Sequence, residues 1–198
     1  RLYKTQYDMQ KKLMLSFEEH KKLKNYCDKN KIEYLCSAFD VISLNNLRRL
    51  SLKTFKIPSG EINNIQYLKH LGKFRKKIIL STGMSEKKEI LYAIKTLVNA
   101  GTKRKDITVL QCNTEYPTPF KDVNLRAMVT FKRKFKTNYG ISDHTLGIEV
   151  PIAASAMGAT IVEKHFTLNR NVSGPDHKAS ILPKELSRMI KSIRNIEQ

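Results

Sequence analysis

Short apolar runs alternate with longer segments whose apolar residues recur every third or fourth position, and the alternation holds from Phe17 to the C-terminus. The runs read as buried strands and the periodic segments as amphipathic helices. The first clear helix opens at Leu15–Glu19, where Ser16 and Glu19 fit a capping box and Phe17, Leu23, Tyr26 and Cys27 form an apolar stripe. A strand is predicted from Glu33 to Phe39, followed by a helix capped by Asp40 and running through Val41, Ile42, Leu44, Leu47 and Leu50. Further strands are predicted at Thr54–Ile57, Lys77–Leu80, Ile107–Gln111, Tyr139–Ile141 and Ala159–Val162. Between them the pattern predicts a short helix near Ile65–Leu71 and a helix capped by Ser85 and stopped by Gly101. Two more follow near Leu125–Phe135 and Gly147–Met157. A last helix spans Pro183–Glu197, with proline in its first turn and Ser180 as a capping candidate.

Strand–helix alternation with short connections makes a parallel sheet. No G-x-G-x-x-G follows any strand, so the dinucleotide fingerprint is missing. Polar and ionisable residues gather at the ends of all six predicted strands instead of at one switch point. That pattern predicts a TIM-type (β/α)8 barrel, whose strand ends share one mouth, with about six of its eight βα units within residues 1–198. The chain opens with Arg1 and its first 15 residues show no strand, so the remaining two units are expected upstream, and an open apolar barrel flank is expected here.

Composition narrows the setting. No run approaches the roughly 20 apolar residues of a membrane span. Cys27, Cys36 and Cys112 are odd in number and widely spaced, which suits free thiols in a reducing cytosol. The net charge of +19 is spread over helices, as in Lys21-Lys22 and Lys87-Lys88, with no basic block interleaved with aromatics. It reads as solvated helix faces with room for an anionic substrate, not as a nucleic-acid surface.

The chemistry sits at the strand ends: Ser37, Lys56, Ser59, Glu61, Ser81, Asn113, Tyr116, Ser142, His144, Glu163, Lys164 and His165. Ionisable groups there cost several kcal/mol unless paired or ligated. Lysine with hydroxyl and amide donors suits a phosphate or carboxylate. Two imidazoles plus a carboxylate suit a divalent metal, and a further glutamate suits a general base.

The stretches Lys56-Ile-Pro-Ser-Gly-Glu61, Ser81-Thr-Gly-Met84, Gln111-Cys-Asn-Thr-Glu-Tyr-Pro117, Ser142-Asp-His-Thr145, Glu163-Lys-His-Phe-Thr167 and Gly174-Pro-Asp-His177 together resemble the sialic acid synthase family. That family makes N-acetylneuraminic, legionaminic and pseudaminic acids. Gly60 and His177 look more like the neuraminate or legionaminate branch. The resemblance implies condensation of phosphoenolpyruvate with an open-chain N-acetylmannosamine-type sugar and release of phosphate. It assigns His144 and His165 to a divalent metal, Mn2+ or Mg2+. Ser37, Lys56, Ser59, Ser81, Asn113 and Ser142 fall to phosphoenolpyruvate, Glu61 to acid/base work, and Tyr116 and Asp176 to the sugar. It also implies a cytoplasmic homodimer whose C-terminal antifreeze-like domain, upstream acidic residue and second phosphoenolpyruvate lysine lie outside this sequence. Two alternatives stand beside it: another phosphoenolpyruvate-dependent 3-deoxy-sugar acid synthase, and a truncated, non-catalytic barrel.

Overall fold

A computed structural model describes residues 4–198. The chain begins with two helices, α1 (Gln6–Leu13) and α2 (Phe17–Lys29), and continues through α3 (Val41–Arg49) into strictly alternating strands and helices. These are β1 (Thr54–Ile57), α4 (Ile65–Gly72), β2 (Lys77–Ser81), α5 (Lys87–Ala100), β3 (Ile107–Cys112), α6 (Arg126–Phe135), β4 (Asn138–Asp143), α7 (Glu149–Ala156), β5 (Val162–Lys164) and α8 (Pro183–Ile196). The five strands pair in sequence order, all parallel, as one half of a barrel.

Side-chain alternation divides the sheet into two chemistries. Phe55, Ile57, Ile78, Leu80, Ile107, Val109 and Ile141 pack on the outer face against Tyr67, Leu71, Ile94, Leu97, Met128 and Phe135 of the helices. The register aligns Lys56 with Ile79, Ile79 with Thr108, Ser81 with Leu110, Cys112 with Ser142, and Ser142 with Glu163 on the opposite, inner face. Outer positions are therefore mainly apolar core, with Asp143 and Lys164 at the ends of β4 and β5 as a charged pair, while inner positions turn polar toward the C-terminal ends of the strands.

The sequence capped several helices correctly. Ser16 Oγ accepts from the Glu19 amide at 3.3 Å, and Glu19 Oε2 accepts from the Ser16 amide at 2.6 Å. Asp40 Oδ1 accepts from the Ser43 amide at 2.7 Å, and Gly101 ends α5 at φ +126°.

Other expectations are corrected. Among the described residues there are five strands, not six, because the segment 33–39 makes a single parallel bridge, Ser37 to Lys56. Its polar groups are satisfied elsewhere: Tyr34 Oη meets His20 Nδ1 at 2.7 Å, and the Ala38 carbonyl accepts from Tyr67 Oη at 2.8 Å. The last strand begins at Val162, not Ala159. The Gly158 and Ala159 amides still donate to the Ser155 and Ala154 carbonyls at the end of α7. Conversely β4 runs to Asp143, two residues further than the pattern predicts. α5 is capped by Glu86, whose amide donates to Glu89 Oε2 at 2.7 Å, while Ser85 Oγ turns back to the Gly83 carbonyl. α8 is capped at Leu182, and Ser180 Oγ instead donates to the Asp176 carbonyl at 2.8 Å. α7 is shorter at both ends than the predicted 147–157.

Gly140 of β4 lies against the backbone of Ile161, the residue that leads into β5. A Cβ there would lie 2.2 Å from the Ile161 carbonyl oxygen and 2.9 Å from Leu110 Cδ2. Backbone cannot yield as a flexible side chain can, so the Gly140→Ala variant is expected to lose about 3 kcal/mol. Thermal denaturation should register a midpoint lowered by roughly 6–12 °C. An unchanged midpoint would mean that the two strands part freely.

Candidate active site at the strand ends

Because all five strands are parallel, their C-terminal ends meet on one side of the sheet, and the inner face brings Lys56, Ser81, Cys112, Ser142 and Glu163 to it. Lys56 is 6% exposed. Its Nζ lies 3.3 Å from Glu163 Oε1, and Ser142 Oγ donates to the same oxygen at 2.6 Å. Ammonium and hydroxyl thus converge on one carboxylate oxygen of a half-exposed glutamate.

Beside this cluster stand two imidazoles. His144 Nδ1 lies 2.7 Å from the Asn113 carbonyl, which can only accept, so the proton is on Nδ1. The Nε2 lone pair is left facing the mouth, with Ser142 Oγ 3.5 Å away. Burial pulls the His144 pKa below the ordinary imidazole value, against the Asn113 carbonyl that favours the charged form. The His144 and His165 ring centroids are 5.3 Å apart, and Tyr116 packs over both, at 4.0 Å from His144 and 5.5 Å from His165. Desolvation, with Cys112 and Asp176 near by, pushes the Tyr116 phenol up to about 12, so it is a neutral hydroxyl. The Thr118 amide donates to the His144 carbonyl at 2.9 Å and pins the Tyr116 loop to β4.

No group of three or more His, Cys, Asp or Glu among the described residues is arranged to hold a metal ion. The donor chemistry nonetheless fits a divalent cation. A neutral imidazole whose Nδ1–H is fixed by a carbonyl presents an oriented Nε2 lone pair, the usual arrangement of a metal-binding histidine. The residues that could hold such a cation are His144 and His165.

The other predicted residues are dispersed around this centre. Ser59 Oγ accepts from the Gly83 amide at 2.9 Å and lies 3.8 Å from Cys112 Sγ. Ser81 is 2% exposed, and its hydroxyl is buried without a hydrogen-bond partner. Such a group costs free energy unless something occupies the space beside it. Asn113 contributes its carbonyl to His144, while its side-chain Nδ2 donates to the Asp122 carbonyl at 2.8 Å. Glu61 is half-buried in a turn, Ser59–Glu61, where its Oε2 accepts from Asn64 Nδ2 at 2.8 Å. Ser37 lies at the sheet edge, bridged to Lys56. Asp176, at φ +64°, lines a cleft of about 470 Å³ with Tyr116, Arg170, Gly174, His177 and Lys178. Arg170 holds one wall of that cleft through Glu185 Oε2 at 2.5 Å and the Ser180 carbonyl at 2.9 Å, and its guanidinium keeps the Glu185 carboxyl below its usual range.

Three features escaped the sequence reading. Glu163 is the partner of Lys56, Cys112 sits at the centre of the inner face, and Asp143 and Lys164 form a buried ion pair behind the histidines. Alternation along β5 could have put Glu163 on one face with His165, but placing Cys112 and Glu163 beside Ser142 takes the register of β3, β4 and β5. The ion pair follows only from the register between β4 and β5.

A profile of the NeuB family matches residues 1–198. The chain is 50% identical, over 194 residues, to the N,N'-diacetyllegionaminic acid synthase of Campylobacter jejuni, covering 98% of this chain and 58% of that protein. Against the pseudaminic acid synthase of the same species, identity falls to 29% over 191 residues, covering 96% and 55%. The chain thus spans little more than half the length of these curated relatives. Among solved structures, it superposes on an N-acetylneuraminic acid (sialic acid) synthetase from Leptospira borgpetersenii, crystallised with citrate. The TM-score is 0.90 at 34% identity, covering 95% of this chain and 65% of that one. No helix among the described residues is long and apolar enough to cross a membrane.

Proposed function

The chain belongs to the NeuB family, and from that premise we propose that it is the central part of a synthase joining phosphoenolpyruvate to an open-chain N-acetylmannosamine-type sugar. The observation that carries this reading is the convergence of the buried Lys56 ammonium and the Ser142 hydroxyl on one carboxylate oxygen of Glu163. Those donors suit the carboxylate or phosphate of phosphoenolpyruvate, with the partnerless Ser81 hydroxyl offering one more donor. Gly60 and His177 favour a neuraminate- or legionaminate-type product, and the 50% identity to the legionaminic acid synthase against 29% to the pseudaminic acid synthase supports the legionaminate type over the pseudaminate type.

In this reading C3 of phosphoenolpyruvate attacks the sugar's C1 carbonyl and forms the new carbon–carbon bond. Water adds at C2, and the resulting tetrahedral carbon expels phosphate. Lys56, Ser59, Ser81 and Ser142 hold the anion and offset its charge. Glu61, half-exposed on the turn after β1, takes the proton from the water. Tyr116 and Asp176, on one cleft wall, orient the sugar hydroxyls. His144 and His165 would hold Mn2+ or Mg2+, which when bound acts as a Lewis acid on the sugar carbonyl.

The test is phosphate release from phosphoenolpyruvate by the protein at the length its gene encodes, with Mn2+ present. N-acetylmannosamine and its 2,4-diacetamido-6-deoxy relative are supplied in separate reactions. Sugar-dependent release with either is the expected result. No release with both would move the chain to a non-catalytic barrel.

A further inference from the structure

Asp143 and Lys164 are the last paired residues of β4 and β5, and the mechanism uses neither. Alternation turns both away from the mouth, to the face opposite Ser142 and Glu163. Their side chains are 1% and 2% exposed and meet at 2.5 Å, Lys164 Nζ to Asp143 Oδ2. Lys164 Nζ also donates to the Thr145 carbonyl at 2.8 Å. Asp143 accepts from the Thr145 amide at 3.0 Å and from its hydroxyl at 3.1 Å. The residues on both sides of His144 are therefore tied to the residue that immediately precedes His165.

The β4–β5 ladder stops at this pair, so no pairing between these two strands reaches the imidazoles that follow it. Their backbone is held from elsewhere, the His144 carbonyl by the Thr118 amide at 2.9 Å and the His165 carbonyl by the Ile181 amide at 2.8 Å. An apolar pair would fill the same space without the desolvation cost of two buried charges. What an ion pair adds is direction: it accepts and donates along fixed lines to Thr145.

We propose that the Asp143–Lys164–Thr145 contacts are a positioning clamp that sets the separation and orientation of His144 and His165. The proposal rests on reading those imidazoles as the chain's cation ligands.

The test uses the full-length protein carrying Asp143→Asn together with Lys164→Met. Asparagine keeps one acceptor oxygen for the Thr145 amide, methionine fills the lysine volume, and no unpaired charge is buried, so the double variant is expected to fold. Two readouts follow: imidazole 15N spectra of the metal-free protein, and binding of added Mn2+ followed by paramagnetic resonance. The clamp predicts that His144 loses its single Nδ1–H tautomer and that Mn2+ affinity falls about 10- to 100-fold. A folded double variant with unchanged imidazole signals and unchanged Mn2+ affinity would overturn it. If the wild-type protein binds no Mn2+, the cation reading fails and the imidazole spectra decide alone. Shifted signals then uphold the clamp and unchanged ones reject it. Should the double variant not fold, Thr145→Val removes one bond of the same set and carries the same two readouts, with unchanged signals again counting against the clamp.

Discussion

Replacing Lys56 by methionine is expected to cut sugar-dependent phosphate release by on the order of 10²- to 10³-fold, the usual loss when one preorganised donor to developing charge is removed. The same change should leave stability intact or raise it. Lys56 is buried, and its ion-pair partner Glu163 is 37% exposed, so Glu163 can turn to water once the ammonium is gone. An apolar side chain of similar length relieves the desolvation of the lysine without stranding a buried charge. Kinetics and urea denaturation on one preparation separate the two effects. Near wild-type release would show that the cluster does not hold the anion. A large drop in stability would mark Lys56 as structural.

Lys164→Met is expected to do the reverse, costing about 3–5 kcal/mol of stability. Its partner cannot turn to water, because the Asp143 side chain is 1% exposed and lies under Thr145 and the ends of β4 and β5. Losing the ammonium leaves a carboxylate in a dry site with only the Thr145 amide and hydroxyl for support. Denaturant titration measures the loss, and adding Asp143→Asn should recover much of it, since the stranded charge is then removed. No recovery would mean that methionine is simply a poor fit in the lysine's volume.

The contrast between these two lysines explains what the sequence could and could not reveal. Strand–helix alternation is written in the periodicity, and β1, β2, α4 and α6 fall within a residue or so of their predicted bounds. Strand ends were legible as places where polar residues interrupt apolar runs, which is how Lys56, Ser142, His144 and His165 were found. The segment 33–39 carries a strand's composition, but strand identity is settled by neighbours, and its carbonyl at Ala38 is taken by a tyrosine from α4. Ala159 reads as strand because its side chain is apolar, while its amide still belongs to the helix before it. Lys56 and Lys164 look alike in sequence. Only the register tells that one faces Glu163 on the inner side and the other faces Asp143 on the outer.

The two-sided sheet also constrains how this molecule can change over time. Chemistry and core occupy alternate positions of the same short strands, as in Ile141, Ser142, Asp143 and His144. Inserting or deleting one residue there would turn Ser142 toward the helices and Ile141 toward the mouth, exchanging site and core in a single step. Length variation is closed to these strands, whereas residues 113–124 and 167–180 carry no ladder and can lengthen or shorten. Divergence toward a different acceptor would accumulate in those two loops, around Tyr116 and Asp176, while the β4 and β5 ends stay fixed in length.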